Sequence, residues 1–444
     1  MASAATTLRS RRQTSEVGAA CLCTGLRVLH VLVAAPSLVF LAMLAVMLFR
    51  PPDLRFYSLD RVAFVLLTFV VLLRICVQRP PLHLTGRLTA PMLALTAMAA
   101  VRILSEPYDV QNWGVFATRW LVPFALFHMA PFVFHDERST KRLETFLLAV
   151  LVYLSLISVL FLFDAKAWIF PRYILDEGLG IHSDRARGPF LQAVANGMTL
   201  NLLGLLALDS FRRKRLRGLP AFALMALVPL AILATKTRAV WLSCAGSILY
   251  LLLFAKSGRI RRACAGMLAV ILLAGLTITL CPGAQCSLID RLTERSPVEF
   301  RVAVYEAGWH MFLQKPLSGW GPSAMQSELD RHVLDFHQDA FYVHNTYLEV
   351  LLQHGLLGLA LYLWILFGLF ALGRPSPGSG VLRDADFHAL WPVFLVVYLL
   401  NASFVGMNYQ FVNGVLFTIA GILAAQRRSA ILAEGTSARH ASAS

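Results

Sequence analysis

Residues 143–164 read LETFLLAVLVYLSLISVLFLFD, and this stretch decides the class of fold. A membrane-spanning helix needs about 20 mostly apolar residues in succession, whereas a spanning strand needs about ten residues of alternating polarity. The run is long and continuous, which is typical of a helix. The whole chain of 444 residues shares its character, with 57% hydrophobic residues, 15% charged residues and a mean hydropathy of +0.65. We therefore predict an all-α, polytopic integral membrane protein.

Basic flanks set the orientation of the predicted spans. All clusters of Lys and Arg between the spans fall on one side if the amino terminus is cytoplasmic, as the positive-inside rule requires. The net charge of +15 thus reflects topology, and no nucleic acid is expected as a partner. Arg9–Arg12 lead into a span of full length, so no cleavable signal peptide is expected. About twelve spans are predicted, at 27–49, 58–77, 88–104, 114–134, 143–164, 191–211, 218–235, 238–255, 263–281, 346–372, 387–406 and 409–426.

Two long connections on the outer side are the expected places of function, because short loops between packed helices have little surface to spare. Cys281 and Cys286 open the larger loop, and the sequence leaves open whether they form a disulfide or stay as thiols. The predicted organisation is nine spans in 1–281 with an outer loop at 165–190, a periplasmic loop with an amphipathic helix at 282–345, three spans in 346–426, and a cytoplasmic tail at 427–444.

Arginines occur in three separate outer connections, against the usual bias for basic residues on the inner side. Arg185 and Arg187 end the first long loop, Arg238 follows a tight hairpin, and Arg301 lies in the larger loop. The planar fork of guanidinium donors fits phosphate oxygens. The alternative is that these side chains extend toward lipid headgroups.

The larger outer loop contains a predicted surface helix. Apolar residues at Val302, Tyr305, Trp309 and Phe312 have the spacing of one buried helix face. Lys315-Pro316 should end the helix. Gly319 and Gly321 then follow, and glycines there serve either a close approach of the backbone to a ligand or a simple turn.

His344 is the titratable base that the larger loop delivers to the tenth span. The positive end of that helix and the nearby arginines both disfavour protonation, so we expect a neutral imidazole at neutral pH. A histidine at a helix end also serves as a structural hydrogen-bonding group, and the sequence leaves that reading open. Asn345, Tyr347 and Glu349 are candidate supporting groups, while Tyr342 offers ring surface for sugars.

No metal site or cofactor is predicted. Asp384-Ala385-Asp386 is the one Asp-x-Asp motif, and the topology places it in an inner loop, away from the outer arginines. No outer pair of carboxylates has convincing ligand spacing.

These motifs together resemble the O-antigen ligase and polymerase superfamily. The resemblance rests on their order and topological side over roughly residues 180–360, and the layout of spans extends it to the whole chain. The motifs are Arg187-Gly188-Pro189-Phe190 with Asn196, Thr235-Lys236-Thr237-Arg238, Arg301, Pro316-Leu317-Ser318-Gly319-Trp320-Gly321, and His344-Asn345 before Leu348 and Gly355.

The resemblance implies a membrane-embedded, GT-C-like glycosyltransferase in the bacterial inner membrane. Its donor would be undecaprenyl-diphosphate-linked O antigen, its acceptor lipid A-core, and its active site would lie on the periplasmic face. Within such a family the outer arginines bind the diphosphate and the loop histidine acts as base, which maps onto Arg187, Arg238, Arg301 and His344. Arg185, Asn345, Tyr347 and Tyr342 are further expected contacts to substrate.

These residues are compatible with several functions. The expected reaction is an inverting, metal-independent ligation of O antigen. An O-antigen polymerase and a protein O-oligosaccharyltransferase are close alternatives. No added carboxy-terminal domain is expected, which favours the ligase over the protein-modifying enzyme. A transporter or flippase is the alternative from another class, supported chiefly by Arg119 inside the fourth span.

Overall fold

The computed structural model describes residues 34–49, 59–79, 86–280, 296–333, 343–374, 382 and 384–443. These residues form helices and connecting loops. We number the helices α1 (Pro36–Leu48), α2 (Leu59–Gln78), α3 (Thr89–Leu104), α4 (Val110–Val133), α5 (Glu137–Leu162), α6 (Ala193–Arg212), α7 (Gly218–Ala234), α8 (Arg238–Phe254), α9 (Gly258–Leu280), α10 (Ser296–Gln314), α11 (Pro322–His332), α12 (Thr346–Ala371), α13 (Ala385–Ala402) and α14 (Gln410–Ala443).

Helices lie at the positions of the predicted spans throughout the described part of the chain. Five of them are long and apolar enough to cross a membrane: α4, α5, α6, residues Gly258–Thr277 of α9, and α12. Shorter apolar helices, including α1, α3, α7 and α8, pack beside them. The all-α membrane class is therefore supported, while the count of twelve spans and the periplasmic side of the larger loop stay predictions.

The loops between helices meet at two ends of the bundle. At the end that carries His344, here called the His344 end, the Ala186 backbone N–H donates to the Ala234 carbonyl at 3.1 Å, which joins the 165–190 loop to the end of α7. At the opposite end, Arg212 of α6 bonds Asp384 at 3.1 Å. Arg213 and Arg215 pair with Glu144 at the same end, and Arg259 donates to the Arg212 carbonyl at 3.0 Å.

Helix α12 is broken near its middle, and the loop turn after α10 is docked on the break. Gly355 has φ +66° and ψ −167°, a backbone conformation that favours glycine. The Trp320 N–H donates to the Leu352 carbonyl at 2.8 Å, and the Leu356 N–H donates to the Pro316 carbonyl at 2.8 Å. The backbone groups that the break releases are thus satisfied by the turn at 316–321.

The close approach that Gly319 provides is made to protein backbone. A Cβ on Gly319 would lie 2.6 Å from the carbonyl carbon of Gln353, and one on Gly321 would lie 2.1 Å from Oε1 of Glu106. Glu106 also accepts a hydrogen bond from the Ser323 N–H at 3.1 Å in the first turn of α11. Of the two interpretations that the sequence left open, the described contacts support the turn.

The buried face predicted for α10 needs correction at two of its four positions, since Tyr305 and Phe312 do pack against the loop core. Val302 and Trp309 are about half exposed, and the buried residues are Val304, Ala307 and Met311. The physical reason is the close contact with α12, where a Cβ on Gly308 would lie 3.2 Å from Cδ2 of Leu348. Gly308 faces α12 so that the two helices can approach, and the neighbouring Trp309 side chain points outward, whereas Tyr305 and Phe312 remain partly buried against the loop core. The predicted helix end is confirmed, since α10 stops at Gln314, just before Lys315-Pro316.

Candidate active site

His344 occupies a restrained position just before α12. Its φ is +48°, in the left-handed region that histidine enters more readily than most residues. Its carbonyl oxygen lies 3.4 Å from the Tyr305 hydroxyl, and its ring packs edge-to-face on Phe300 with centroids 6.3 Å apart. Helix α10 therefore fixes both the backbone and the ring of the candidate base.

The electrostatic surroundings of His344 favour a neutral imidazole. Burial lowers the pKa of His344, and the positive charge of Arg301 lowers it further, while Glu349 acts in the opposite direction. An imidazole that stays neutral at neutral pH accepts a proton, which is the property that a general base requires.

Arg301 projects from the first turns of α10 into the same region. Its guanidinium carbon lies 5.8 Å from the centroid of the Phe404 ring, in a cation–π arrangement with the α13–α14 loop. Burial lowers the pKa of Arg301, and the charge of Arg238 acts in the same direction against that of Tyr305. Arg301 and Arg238 are thus close enough to repel each other, and an anion between them would relieve that repulsion.

Arg238 begins α8 directly after the Lys236-Thr237 hairpin. Lys236 has φ +47°, and the Trp241 indole N–H donates to the Ile232 carbonyl at 3.0 Å, so the turn is tightly held. Helix α8 also approaches α6 closely, since a Cβ on Gly197 would lie 2.7 Å from Cγ1 of Val240. Arg238 therefore stands at the amino-terminal end of a rigidly packed helix, where the helix dipole adds to its positive charge.

Arg187 is used differently from Arg238 and Arg301. Its side chain is buried, and its three nitrogens donate to carbonyl oxygens of the 165–190 loop: Nε to Ile174 at 3.0 Å, Nη1 to Leu179 and Nη2 to Asp176. Burial lowers its pKa, against the charges of Asp176 and Glu177. These contacts make Arg187 an organiser of its own loop, and its predicted contact with a diphosphate stays a prediction.

The further expected substrate contacts also have structural partners. Asn345 is the N-cap of α12, and its side-chain oxygen accepts from the N–H groups of Tyr347 at 3.0 Å and Leu348 at 3.2 Å. The Tyr347 hydroxyl donates to the Leu399 carbonyl at 3.1 Å. Nε of Arg185 is buried and lies 3.8 Å from the Asp184 carboxylate. Tyr342, Cys281 and Cys286 lie outside the described residues.

An ion pair that the sequence did not predict lies beside His344. Nη2 of Arg119 bonds Oε2 of Glu349 at 2.7 Å, and Nε donates to the Asn408 side chain at 3.1 Å. Arg119 was the feature that favoured a transporter, and its partnered state gives it another explanation. A charged residue within an apolar run was the signal available in the sequence, since such residues usually have a partner and a function.

The Asp384-Ala385-Asp386 motif lies at the end of the bundle opposite His344. The Arg212 guanidinium bonds Asp384 at 3.1 Å and Asp386 at 3.2 Å, and it also bonds Asp209 at 2.8 Å. Arginine thus occupies the carboxylates that could otherwise attract a cation. Among the described residues, no group of three His, Cys, Asp or Glu side chains is arranged to hold a metal ion.

The helices and this site define a membrane-integral helical protein that presents a neutral imidazole beside two arginines at one end of its bundle. Residues 220–363 match the O-antigen ligase family. The matched segment runs from α7 into α12 and contains Arg238, Arg301 and His344. It confirms the predicted resemblance to the O-antigen ligase and polymerase superfamily, a glycosyltransferase-like family with polysaccharide and lipid-linked substrates. No curated protein matches the chain in sequence.

Proposed function

We propose that the protein is a glycosyltransferase that ligates O antigen, carried on undecaprenyl diphosphate, to lipid A-core on the periplasmic face of the inner membrane. The observation that carries this proposal is the grouping of His344 with Arg301 and Arg238 at one end of a bundle of membrane-length helices. The family match over the same residues supports the chemistry.

The donor diphosphate is expected to bind between Arg301 and Arg238. Guanidinium groups pair with phosphate oxygens through charge-assisted hydrogen bonds, and a bound dianion would offset the repulsion between the two cations. The Phe404 ring lies 5.8 Å from the Arg301 guanidinium carbon and favours its placement there through a cation–π contact. Arginine charge therefore takes the role of stabilising the leaving group, and we propose a metal-independent reaction.

His344 is proposed as the general base. Its imidazole takes the proton from an acceptor sugar hydroxyl, the hydroxyl oxygen forms a bond to the anomeric carbon, and the bond from that carbon to the diphosphate oxygen breaks. The electron pair of the broken bond leaves with undecaprenyl diphosphate, whose added charge the two arginines stabilise. A single displacement of this kind inverts the configuration at the anomeric carbon.

The choice among ligase, polymerase and protein-modifying enzyme is made by the acceptor. The decisive experiment uses the purified full chain with a carrier-lipid glycan and lipid A-core, in the presence of a chelator and without ATP. We expect glycan to appear on lipid A-core. Transfer onto a second carrier-lipid glycan would identify a polymerase, and transfer onto protein would identify an oligosaccharyltransferase.

The lipopolysaccharide of a mutant cell provides an independent test. Loss of all long chains with glycan retained on the carrier lipid is the outcome expected for a ligase. A core capped with one repeat would point to the polymerase, and unchanged lipopolysaccharide to the protein-modifying enzyme. Restoration of transfer by Mg²⁺ or Mn²⁺ after chelation would contradict the metal-independent mechanism.

A further inference from the structure

Arg119 lies in an irregular part of α4. Residues Ala117–Leu121 form a π-helical turn within an otherwise α-helical segment, and such turns are frequent at functional sites. The Arg119 side chain is 2% exposed and that of Glu349 is 13% exposed, so the ion pair is largely removed from water. Nη1 of Arg119 is buried and has no hydrogen-bond partner among the described residues.

This ion pair contributes little to the stability of the folded protein. A buried ion pair recovers little more than the cost of its desolvation, and an unsatisfied buried donor adds a further penalty of about 1–3 kcal/mol. Two apolar residues would pack at the same place without either cost. The presence of this ion pair between two apolar helices therefore indicates a role beyond folding.

The pair is connected to the segment that carries His344. Glu349 lies in the first turns of α12, and its N–H donates to the Asn345 carbonyl at 2.9 Å. Its second carboxylate oxygen accepts from the Gln353 side chain at 3.3 Å. The Asn408 side chain brings the α13–α14 loop to Arg119, and that loop also contributes Phe404, which contacts Arg301.

We propose that Arg119 is a positioning residue for His344: by holding the Glu349 carboxylate in one orientation below the 343–345 segment, it fixes the charge and the placement of the base. The proposal rests on the proposed function for its catalytic meaning. Arg119 touches no substrate in this scheme and acts through Glu349.

The charged and titratable groups around His344 come from several helices. Arg301 and Tyr305 face it from α10, and Glu349 faces it from α12. Arg238 of α8 lies beside Arg301, and Arg119 of α4 lies behind Glu349. Removal of the Glu349 charge makes protonation of His344 harder. Removal of the Arg119 charge leaves the negative charge of Glu349 uncompensated and makes protonation of His344 easier.

The test measures the protonation of His344 in Arg119→Gln, Glu349→Gln and the double variant. Diethyl pyrocarbonate acylates neutral imidazole, and peptide mass spectrometry follows the modification of His344 as a function of pH. We expect Glu349→Gln to lower the pH midpoint and Arg119→Gln to raise it, each by about half a unit or more. Absence of both shifts, or shifts in the same direction, would overturn the proposal.

Transfer kinetics on the same variants separate positioning from binding. Arg119→Gln should lower kcat about tenfold or more, while KM for the donor changes less than about twofold. Arg119→Lys, which keeps the charge, should retain more activity than Arg119→Gln. In the Glu349→Gln background, Arg119→Gln should add less than about a twofold loss, because both changes interrupt one interaction. A multiplicative loss, or a rise in KM alone, would refute the role.

Matched control variants show whether the effects are specific to the Arg119–Glu349 pair. Glu137→Gln with Lys141→Gln removes an exposed ion pair whose Nζ–Oε1 distance is 2.7 Å, and should leave the pH midpoint of His344 modification unchanged.

If Arg119→Gln fails to fold, Gly406→Ala replaces it, because a Cβ at position 406 would lie 2.9 Å from Oε2 of Glu349. That variant should lower kcat relative to Gly246→Ala, whose Cβ meets nothing within 4 Å; equal kcat values would contradict the proposal. Shifted midpoints without any glycan transfer by the wild type would refute the proposed function while leaving the ion-pair inference standing.

Discussion

The hydroxyl of Tyr305 lies 3.4 Å from the carbonyl oxygen of His344 and 3.3 Å from that of Ser403. Through this one side chain, helix α10 is joined both to the start of α12 and to the end of α13. The loop helix is thereby positioned against two apolar helices, and with it Arg301. The relative placement of the imidazole and the guanidinium thus depends on contacts between segments far apart in the sequence.

Replacement of His344 by Asn should abolish transfer while preserving the fold. Asparagine tolerates a positive φ and therefore suits the +48° backbone, but its side chain is not a base. We expect a fall in kcat of about 10²- to 10⁴-fold with little change in thermal stability. His310→Asn, at an exposed position of α10, is the matched control and should retain activity. Transfer by His344→Asn at the wild-type rate would remove this residue from the mechanism.

The pH profile should report the environment of His344. Because burial and the charge of Arg301 lower the pKa of the imidazole, the base stays neutral and active below its ordinary value of 6.5. We expect log kcat/KM to be level near neutral pH and to fall only at lower pH. In Arg301→Gln the lost positive charge should raise the pKa, so the fall begins about one unit higher, with a lower plateau as well.

Lys315→Gln is the control for this shift. Nζ of Lys315 lies 3.8 Å from the centroid of the Trp320 ring, so the variant removes a cation of the same loop that contacts a different aromatic ring. Its profile should coincide with that of the wild type. An Arg301→Gln profile with an unmoved acid limb would show that His344 is not the group that titrates.

Substitution of Arg187 should affect the loop more than the chemistry. Both Arg187→Lys and Arg187→Gln lose the fork that bonds three carbonyls, and we expect a loss of about 2–4 kcal/mol in stability. Thermal denaturation and proteolysis within 165–190 would measure this loss. Arg172→Lys, at an exposed arginine of the same loop, is the control. A stable, protease-resistant Arg187→Lys with a raised donor KM would instead establish contact with the diphosphate.

Gly355→Ala should dislodge the turn at 316–321. Its Cβ would lie 2.1 Å from the Leu317 carbonyl oxygen, and its φ of +66° is unfavourable for alanine. We expect a loss of about 2–4 kcal/mol in unfolding free energy, visible as a lower melting temperature in detergent. Gly266→Ala on α9, where a Cβ meets nothing within 4 Å, should be neutral or slightly stabilising. Equal melting temperatures would show that the turn is not docked on the break.

The helical elements and their ends were accessible from the sequence because they depend on local properties. A run of about 20 apolar residues specifies a membrane helix wherever it occurs. Lys315-Pro316 was predicted to end the loop helix, and α10 stops at Gln314, whereas α11 was not predicted. The buried face of α10 was only partly accessible in this way, because Tyr305 and Phe312 pack inward while the close contact of Gly308 with α12 leaves Val302 and Trp309 exposed.

The candidate site residues show the same division between local properties and contacts of distant segments. The sequence predicted that arginines of three connections and one histidine carry the chemistry, but it gave Arg187, Arg238 and Arg301 equal standing. Arg187 turned out to be enclosed by carbonyl oxygens of its own loop, whereas Arg301 faces His344. The partner of Arg119 lies 230 positions further along the chain, beyond any local pattern.

The sequence by itself determined the membrane class, the positions of the long apolar helices and the family resemblance, since hydrophobicity, charge and short motifs belong to individual side chains and short runs. Only the tertiary structure decided that Arg301 lies beside His344. It also decided that Arg187 donates to carbonyl oxygens of its own loop and that Glu349 pairs with Arg119. Those outcomes depend on distances between residues remote in sequence, and electrostatic and hydrogen-bonding energies change steeply with distance.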